Sequence, residues 1–318
     1  GYNDRVVFAR ASNFFVLSIY ALGDKGTIGS IAATSDGKKL IISSSKGMIS
    51  INLANNFPPG KPQPMPKGST AYFELVADEA RQVLYGSNPT GQRVDIISMT
   101  TNKVIGKIWF NNNSFPKGMD ISPNGNELAV ALYQGGVIAF IDLDTRTITH
   151  KIFPDTRTPE TPSYYSGTKP YDVIYGRPGR LYSSGAPYSS GSDFIHVIDT
   201  DNHEEIGRSG YQIASGPWLA ISSDKTTLFV NDDKYVSPQK LYKFDVTTDA
   251  LSDPVESAHA DWLKGDRFLL SADERIFIDS GMVWVTSLLG QIGATGQAGQ
   301  PAFFPRADAP PLGVRTPH

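Results

Sequence analysis

Apolar residues run along this chain in short stretches, and polar turn formers close each one. Ile-Ala-Ala-Thr-Ser-Asp-Gly (31–37), Met-Asp-Ile-Ser-Pro-Asn-Gly (119–125) and Leu-Ala-Ile-Ser-Ser-Asp-Lys (219–225) share one pattern. In each, an apolar strand runs into an Asp or Asn turn, and a second apolar strand follows. The clearest unit predicts four strands, at Gly118–Ser122, Glu127–Leu132, Val137–Asp142 and Thr147–Phe153. The first three are β-branched or apolar and bounded by turn residues, as strands are. Apolar spacing of three and four residues over a helical length is nearly absent, so helices are not expected.

Turn anchors at Asp36, Asp78, Asn124, Pro178, Asp224 and Asp273 set the period. Their spacing of roughly 40–55 residues is close to that of a four-stranded propeller blade carrying insertions. Near the N-terminus, Asp4 reads as a further anchor with Val6–Phe8 as a second strand. Ala302–Pro305 is expected to supply the strand before it, so that both termini close the last blade; the alternative is a chain cut from a longer protein, with an incomplete terminal blade. Such closure hides strand edges that would otherwise pair with other chains. The expectation is an all-β, seven-bladed propeller of four-stranded antiparallel blades. It forms a single domain over 1–309, with a Pro-rich tail or linker over 310–318.

Asp-Ile-Ile-Ser-Met-Thr-Thr-Asn-Lys-Val-Ile-Gly-Lys-Ile (95–108) resembles the third-to-fourth strand hairpin of the YVTN-type propeller repeats. Residues 141–152 and 197–207 resemble it too. Pro-Lys-Gly-Met-Asp-Ile-Ser-Pro-Asn-Gly (116–125) is similar to the segment that follows that hairpin in the family, and 216–224 matches it loosely. The signature Tyr-Val-Thr-Asn itself survives only as Phe-Val-Asn-Asp (229–232) and Ala-Val-Ala-Leu (129–132). The Gly-His and Trp-Asp dipeptides of WD40 repeats are absent. The resemblance implies an extracellular, cell-surface or periplasmic propeller. Relatives of this blade topology include lactonases and polysaccharide lyases, so function has to be argued from a site.

Composition narrows the classes. Of 318 residues, 40% are hydrophobic, enough to fill a propeller core, and 30 Gly with 22 Pro suit many turns. The net charge of −3 comes without a block of like charge. That excludes the basic footprint of a nucleic-acid binder and a polybasic membrane patch. No apolar stretch is long enough for membrane insertion as a helix. With no cysteine, disulfides, thiolate metal sites and a cysteine nucleophile are ruled out.

The first-to-second and third-to-fourth strand turns are short. Long connections fall between blades (55–70, 111–117, 154–170) and between second and third strands (86–93, 183–193, 231–240). In an up-and-down blade these two classes leave from the same end, and variable loops on a rigid scaffold carry binding. Candidate partner-binding residues there are Tyr164, Tyr165, Tyr171, Tyr188 and Tyr235, with Arg157 and Lys169. Loop tyrosines give large amphipathic contacts to protein or glycan at low entropic cost; the plainer reading is a packing cover. Lys117, Tyr171 and Trp218 occupy equivalent places at the start of innermost strands. They border either a ligand or the next blade.

Asp232 and Asp233 share a long loop and are the best candidates for a cation site, with Ca²⁺ the natural ion for clustered oxygens. His196 beside Asp193 could form a general base or a metal ligand, against the plainer reading of a structural hydrogen-bond partner. Asp142/Asp144 and Asp199/Asp201 sit in hairpin turns, where aspartate shapes its own backbone. No catalytic constellation is recognised. The expected function is a non-enzymatic binding module. Its rivals are a metal-assisted propeller enzyme with its site at the channel mouth, and a structural module of a larger protein. Oligomeric state is not legible.

Overall fold

The computed structural model describes residues 5–9, 16–21, 28–33, 39–52, 72–154, 169–186, 192–214, 216–231, 240–257, 268–270, 276–279, 282–285 and 290–294. All of its regular structure there is strand. The strands, in chain order, are β1 (Arg5–Ala9), β2 (Val16–Ala21), β3 (Ile28–Ala33), β4 (Lys39–Ser44) and β5 (Gly47–Asn52). Next come β6 (Leu75–Asp78), β7 (Val83–Asn88), β8 (Arg93–Ser98), β9 (Val104–Trp109), β10 (Pro116–Ile121), β11 (Glu127–Leu132), β12 (Val137–Asp142) and β13 (Thr147–Ile152). Then follow β14 (Pro170–Tyr175), β15 (Arg180–Gly185), β16 (Ser192–Asp199), β17 (Glu204–Ala214), β18 (Leu219–Ile221), β19 (Thr227–Asn231), β20 (Leu241–Asp245) and β21 (Val255–Glu256). The last four are β22 (Phe268–Leu270), β23 (Ile276–Asp279), β24 (Met282–Val285) and β25 (Gly290–Ala294).

Each sheet is an up-and-down meander of consecutive strands. Among the described residues five sheets have four strands: β6–β9, β10–β13, β14–β17, β18–β21 and β22–β25. This is an all-β propeller of four-stranded antiparallel blades. The expected count of seven such blades is not reached, because β3–β5 has three strands and β1–β2 has two. β5 ends at Asn52 and the next described residue is Tyr72. Ala302–Pro305, expected to close the last blade, and the tail 310–318 lie outside the described residues. Among these residues no helix is long and apolar enough to cross a membrane.

Two compact units are distinguished. The first takes in the described residues of Leu22–Ser183 and Ile198–Glu205, the second those of Arg5–Ala21, Ser184–Val197 and Ile206–His318.

The repeated motif builds one turn twice. In the first unit Asn124 Oδ1 accepts the Ser122 hydroxyl and the Asn126 N–H, while Ser122 Oγ accepts the Glu127 N–H at 3.0 Å. In the second, Asp224 does the same for Ser222 and Thr226, and Ser222 Oγ accepts the Thr227 N–H at 2.9 Å. The third-to-fourth strand turns also repeat. Asp142 Oδ1 accepts the N–H groups of Asp144 and Thr145, and Asp199 Oδ1 those of Asp201 and Asn202. These bonds hold both carboxyls below the usual carboxylate range, the N–H of Thr145 or Asn202 contributing most. Aspartate here shapes the turn, as expected. In three of these sheets a residue one or two places before the fourth strand swings to positive φ: Asn102 at 55°, Arg146 at 59° and His203 at 54°.

Strand alternation explains the packing of the first unit. Leu128, Val130 and Leu132 on β11 join Val83, Tyr85, Val94 and Ile96 of the preceding sheet. Ala129 and Ala131, on the other face, join Val173, Tyr175 and Leu181 of β14 and β15. Both faces are buried, so the strand reads as a continuous apolar run. Small residues oppose large ones across the ladder, with Ala129 facing Phe140 and Ala139 facing Val130. Innermost strands are stapled by side chains that accept a neighbour's N–H. Ser30 Oγ takes Leu75 at 3.0 Å, Glu74 Oε2 takes Met119 at 2.5 Å, and Asp120 Oδ2 takes Tyr175 at 2.8 Å.

Candidate functional site

Lys117 is the second residue of β10 and Tyr171 the second of β14, and the structure brings them together. The Lys117 ammonium lies 4.1 Å from the Tyr171 ring centroid, 3.6 Å from that of Tyr133 and 5.4 Å from that of Phe73. The placement follows from the ladder. β10 pairs with β11 so that Pro116 faces Leu132, and the Tyr133 and Gln134 N–H groups extend the pairing to Phe115 and Ser114. Tyr133 therefore stands beside Lys117. Phe73 precedes the innermost strand of the sheet before, and Tyr171 starts that of the sheet after.

The rings meet edge to face: Phe73 and Tyr171 at 5.5 Å and 81°, Tyr133 and Tyr171 at 6.3 Å and 86°. All four side chains are half-buried. A cation over several aromatic faces is held by the rings' quadrupoles, each contact contributing about 0.5–1 kcal/mol at exposed sites and more when desolvated. Beneath them, buried Lys169 donates to Gln134 Oε1 at 2.6 Å and lies 5.1 Å from the Tyr133 centroid. The cluster thus presents one ammonium and three ring edges and faces at the end from which the long connections leave.

Sequence reasoning placed Lys117, Tyr171 and Lys169 in this region and missed Phe73 and Tyr133. Phe73 was findable, since it precedes the strand that ends on the Asp78 anchor much as Lys117 precedes the Asn124 turn. Tyr133 gives no such signal; only the ladder register puts it there.

Trp218 has the equivalent place in the second unit, before β18. It is 7% exposed, its N–H donates to Asn231 Oδ1 at 2.8 Å, and its carbonyl accepts from the Asn231 N–H. It is more deeply buried than Lys117 and Tyr171. His196, the enzymatic candidate, is completely buried with Nε2 3.7 Å from Asp193 Oδ1. Asp193 is tucked over Gly185, where a Cβ would stand 1.9 Å from Oδ2. This pair belongs to the core. Tyr164, Tyr165, Tyr188, Tyr235 and Arg157 lie outside the described residues, as do Asp232 and Asp233, the expected Ca²⁺ ligands. Among the described residues no group of three or more His, Asp or Glu converges as a metal site would.

No protein-family model matches this chain. No curated protein matches it either. Solved structures do. A functionally unknown protein from Desulfotomaculum acetoxidans DSM 771 is 17% identical, with a TM-score of 0.70, over 93% of this chain and 95% of that one. A chain of the mitotic checkpoint complex is 15% identical, with a TM-score of 0.69, over 92% and 82%. Hydrazine synthase of Kuenenia stuttgartiensis is 19% identical, with a TM-score of 0.53, over 67% of this chain and 55% of that chain, so this protein spans about half its length. At such identities the likeness is one of fold, and the fold it supports is the β-propeller described above.

Proposed function

We propose that this protein is an extracytoplasmic or cell-surface propeller that binds a protein or glycan partner through its long-loop end. The Lys117–Tyr133–Tyr171 cluster lies at the centre of that contact. The observation that carries the reading is the half-buried ammonium held among three rings. Aromatic rings and a cation set in a rigid scaffold are the features that anchor binding surfaces, because they offer contact area without ordering cost. The loop tyrosines Tyr164, Tyr165, Tyr188 and Tyr235 extend the surface in this reading, and Asp232 with Asp233 supplies its cation-binding loop. The propeller chain of the mitotic checkpoint complex is a precedent for a propeller working in an assembly. The extracytoplasmic setting rests on the resemblance to YVTN-type repeats. We further read the two- and three-stranded sheets as partial blades of a seven-bladed propeller over 1–309, with 310–318 a tail.

The test is a glycan array together with crosslinking to proteins on the source cell surface, followed by affinity measurement on whichever partner is found. Lys117→Ala and Tyr171→Ala should each weaken binding by about tenfold or more, with unfolding midpoints kept near wild type. Unchanged affinity in both folded variants would overturn the assignment.

A further inference from the structure

At the opposite end of the first unit, the short turns of two neighbouring sheets border an open cavity of about 460 Å³. Its chemistry is carried by Glu127, His150, Tyr175, Arg177, Asp201 and His203. Glu127 follows the Ser122–Asn124 turn and Asp201 lies in the β16/β17 turn. His203 is set by the positive-φ corner of that same turn.

These side chains form a connected array. Glu127 Oε1 accepts the Tyr175 hydroxyl at 2.7 Å, and Oε2 lies 3.0 Å from His203 Nε2. The His203 ring stacks on His150 at 3.8 Å with 9° between planes, and it meets the Phe140 ring edge to face at 4.6 Å. Tyr175 is buried, and desolvation with the adjacent Glu127 charge pushes its hydroxyl well above the ordinary tyrosine range, so it stays a donor. Glu127 is thereby held in place as an acceptor, with lone pairs left beyond its two protein partners. His150 and Asp201 are exposed.

We propose that this cavity binds a guanidinium group, carried by free arginine or by an arginine side chain of a peptide. Three properties point to that class. The stacked imidazoles end in an exposed flat ring, and the planar guanidinium can stack flat on such a face, a geometry that a tetrahedral ammonium cannot adopt. The carboxylates of Glu127, Asp142 and Asp201 line the cavity against the single guanidinium of Arg177, a balance that favours a cation over an anion. Carboxylates at the rim match the forked donors of arginine. The volume falls within the roughly 300–1,000 Å³ of small-ligand pockets, room for a whole amino acid.

Isothermal titration of the intact protein with L-arginine, N-acetyl-L-arginine amide and N-acetyl-L-lysine amide tests this. NMR of the histidine ring signals would run alongside. Saturable binding of at least one arginine compound is expected, with shifts at His150 and His203 and an affinity about tenfold or more above that of the lysine compound. Preference for free arginine or for the amide identifies the source as metabolite or peptide. Glu127→Gln disturbs two internal bonds, so His150→Ala and Asp201→Asn, both at exposed positions, are the decisive variants, and each should weaken binding. Absence of saturable binding, equal binding of the lysine compound, or unaltered binding in both variants overturns the proposal.

Discussion

Oδ1 of Asp172 lies 2.2 Å from where a Cβ on Gly118 would stand, so β14 packs against the bare backbone of β10. The Asp172 Cα is nearly as close, at 2.5 Å. A rotamer change alone could not make room for a methyl group, and the two sheets would have to part. Gly118→Ala is expected to destabilise the first unit by about 1–3 kcal/mol, the usual cost of overpacking. Urea denaturation would show it as a lower midpoint at unchanged slope. Since Lys117 and Tyr171 adjoin the two residues, the same variant should also loosen the aromatic cluster.

Two ion pairs in the first unit should differ in what truncation costs and in how far salt changes that cost. Arg93 grips Asp95 with Nε at 2.6 Å and Nη2 at 3.2 Å, both side chains are buried, and the Tyr72 hydroxyl adds a bond at 3.0 Å. Asp95→Ala takes the carboxylate away from a buried guanidinium that lies 5.1 Å from the Trp109 ring centroid, and should cost about 3–5 kcal/mol. Arg81 also ties two sheets, reaching Asp78, the Gly125 carbonyl and Asp144, but Asp144 is 75% exposed. Arg81→Ala should cost no more than about 1 kcal/mol, and less as salt rises. Denaturation at low and high ionic strength separates the two cases; a large, salt-independent loss in the Arg81 variant would refute this division.

Residue pattern alone located β11 and β12 to the residue and β10 and β13 to within two. The reason is physical: a strand buried on both faces and closed by Ser-Pro-Asn-Gly leaves few other registers. Gly86–Asn88, expected in a loop, instead pair with Arg93–Asp95 as strand. The polar Ser87 and Asn88 looked loop-like, yet both are completely buried. Lys117 and Tyr171 were legible because equivalent positions in successive blades face one another. The Glu127–Tyr175–His203 array was not. Its members stand 48 and 76 positions apart, and they meet only because neighbouring sheets bring their turns together. Each of those turns, taken singly, reads as structural.

The third copy of the repeated turn carries a correctable strain. Gly125 takes φ of 74° in the second copy, and Lys225 takes 60° at the same place in the third. The left-handed region costs a residue with a Cβ about 1–2 kcal/mol, against the extra backbone entropy that glycine loses on folding. Lys225→Gly should therefore be neutral to stabilising, by up to about 1 kcal/mol. Gly125→Lys, its mirror, should destabilise to a similar extent. Thermal unfolding of both variants checks the pair, and destabilisation by Lys225→Gly would show that the lysine side chain outweighs the strain.

Buried tyrosines set the alkaline limit of stability. Burial pushes the Tyr85 hydroxyl up to about 12, with the Asp78 carboxylate, 3.3 Å away, adding to it. Burial raises Tyr72 and Tyr175 further, with Asp95 and Glu127 as the neighbouring charges. In the unfolded chain tyrosine titrates at about 10. A folded-state value above the unfolded one means that the native state holds its proton more tightly. The associated stability is complete below about pH 10 and is lost as pH climbs toward the folded values. For Tyr85 that window runs from about 10 to about 12. Urea midpoints measured across it should fall steeply for the wild type and less steeply for Tyr85→Phe, which removes one of the protons involved. Tyrosinate absorbance of the native protein should lag behind that of the unfolded chain over the same interval. Superimposable alkaline limbs for wild type and Tyr85→Phe would mean that Tyr85 titrates alike in both states, contrary to its burial beside Asp78.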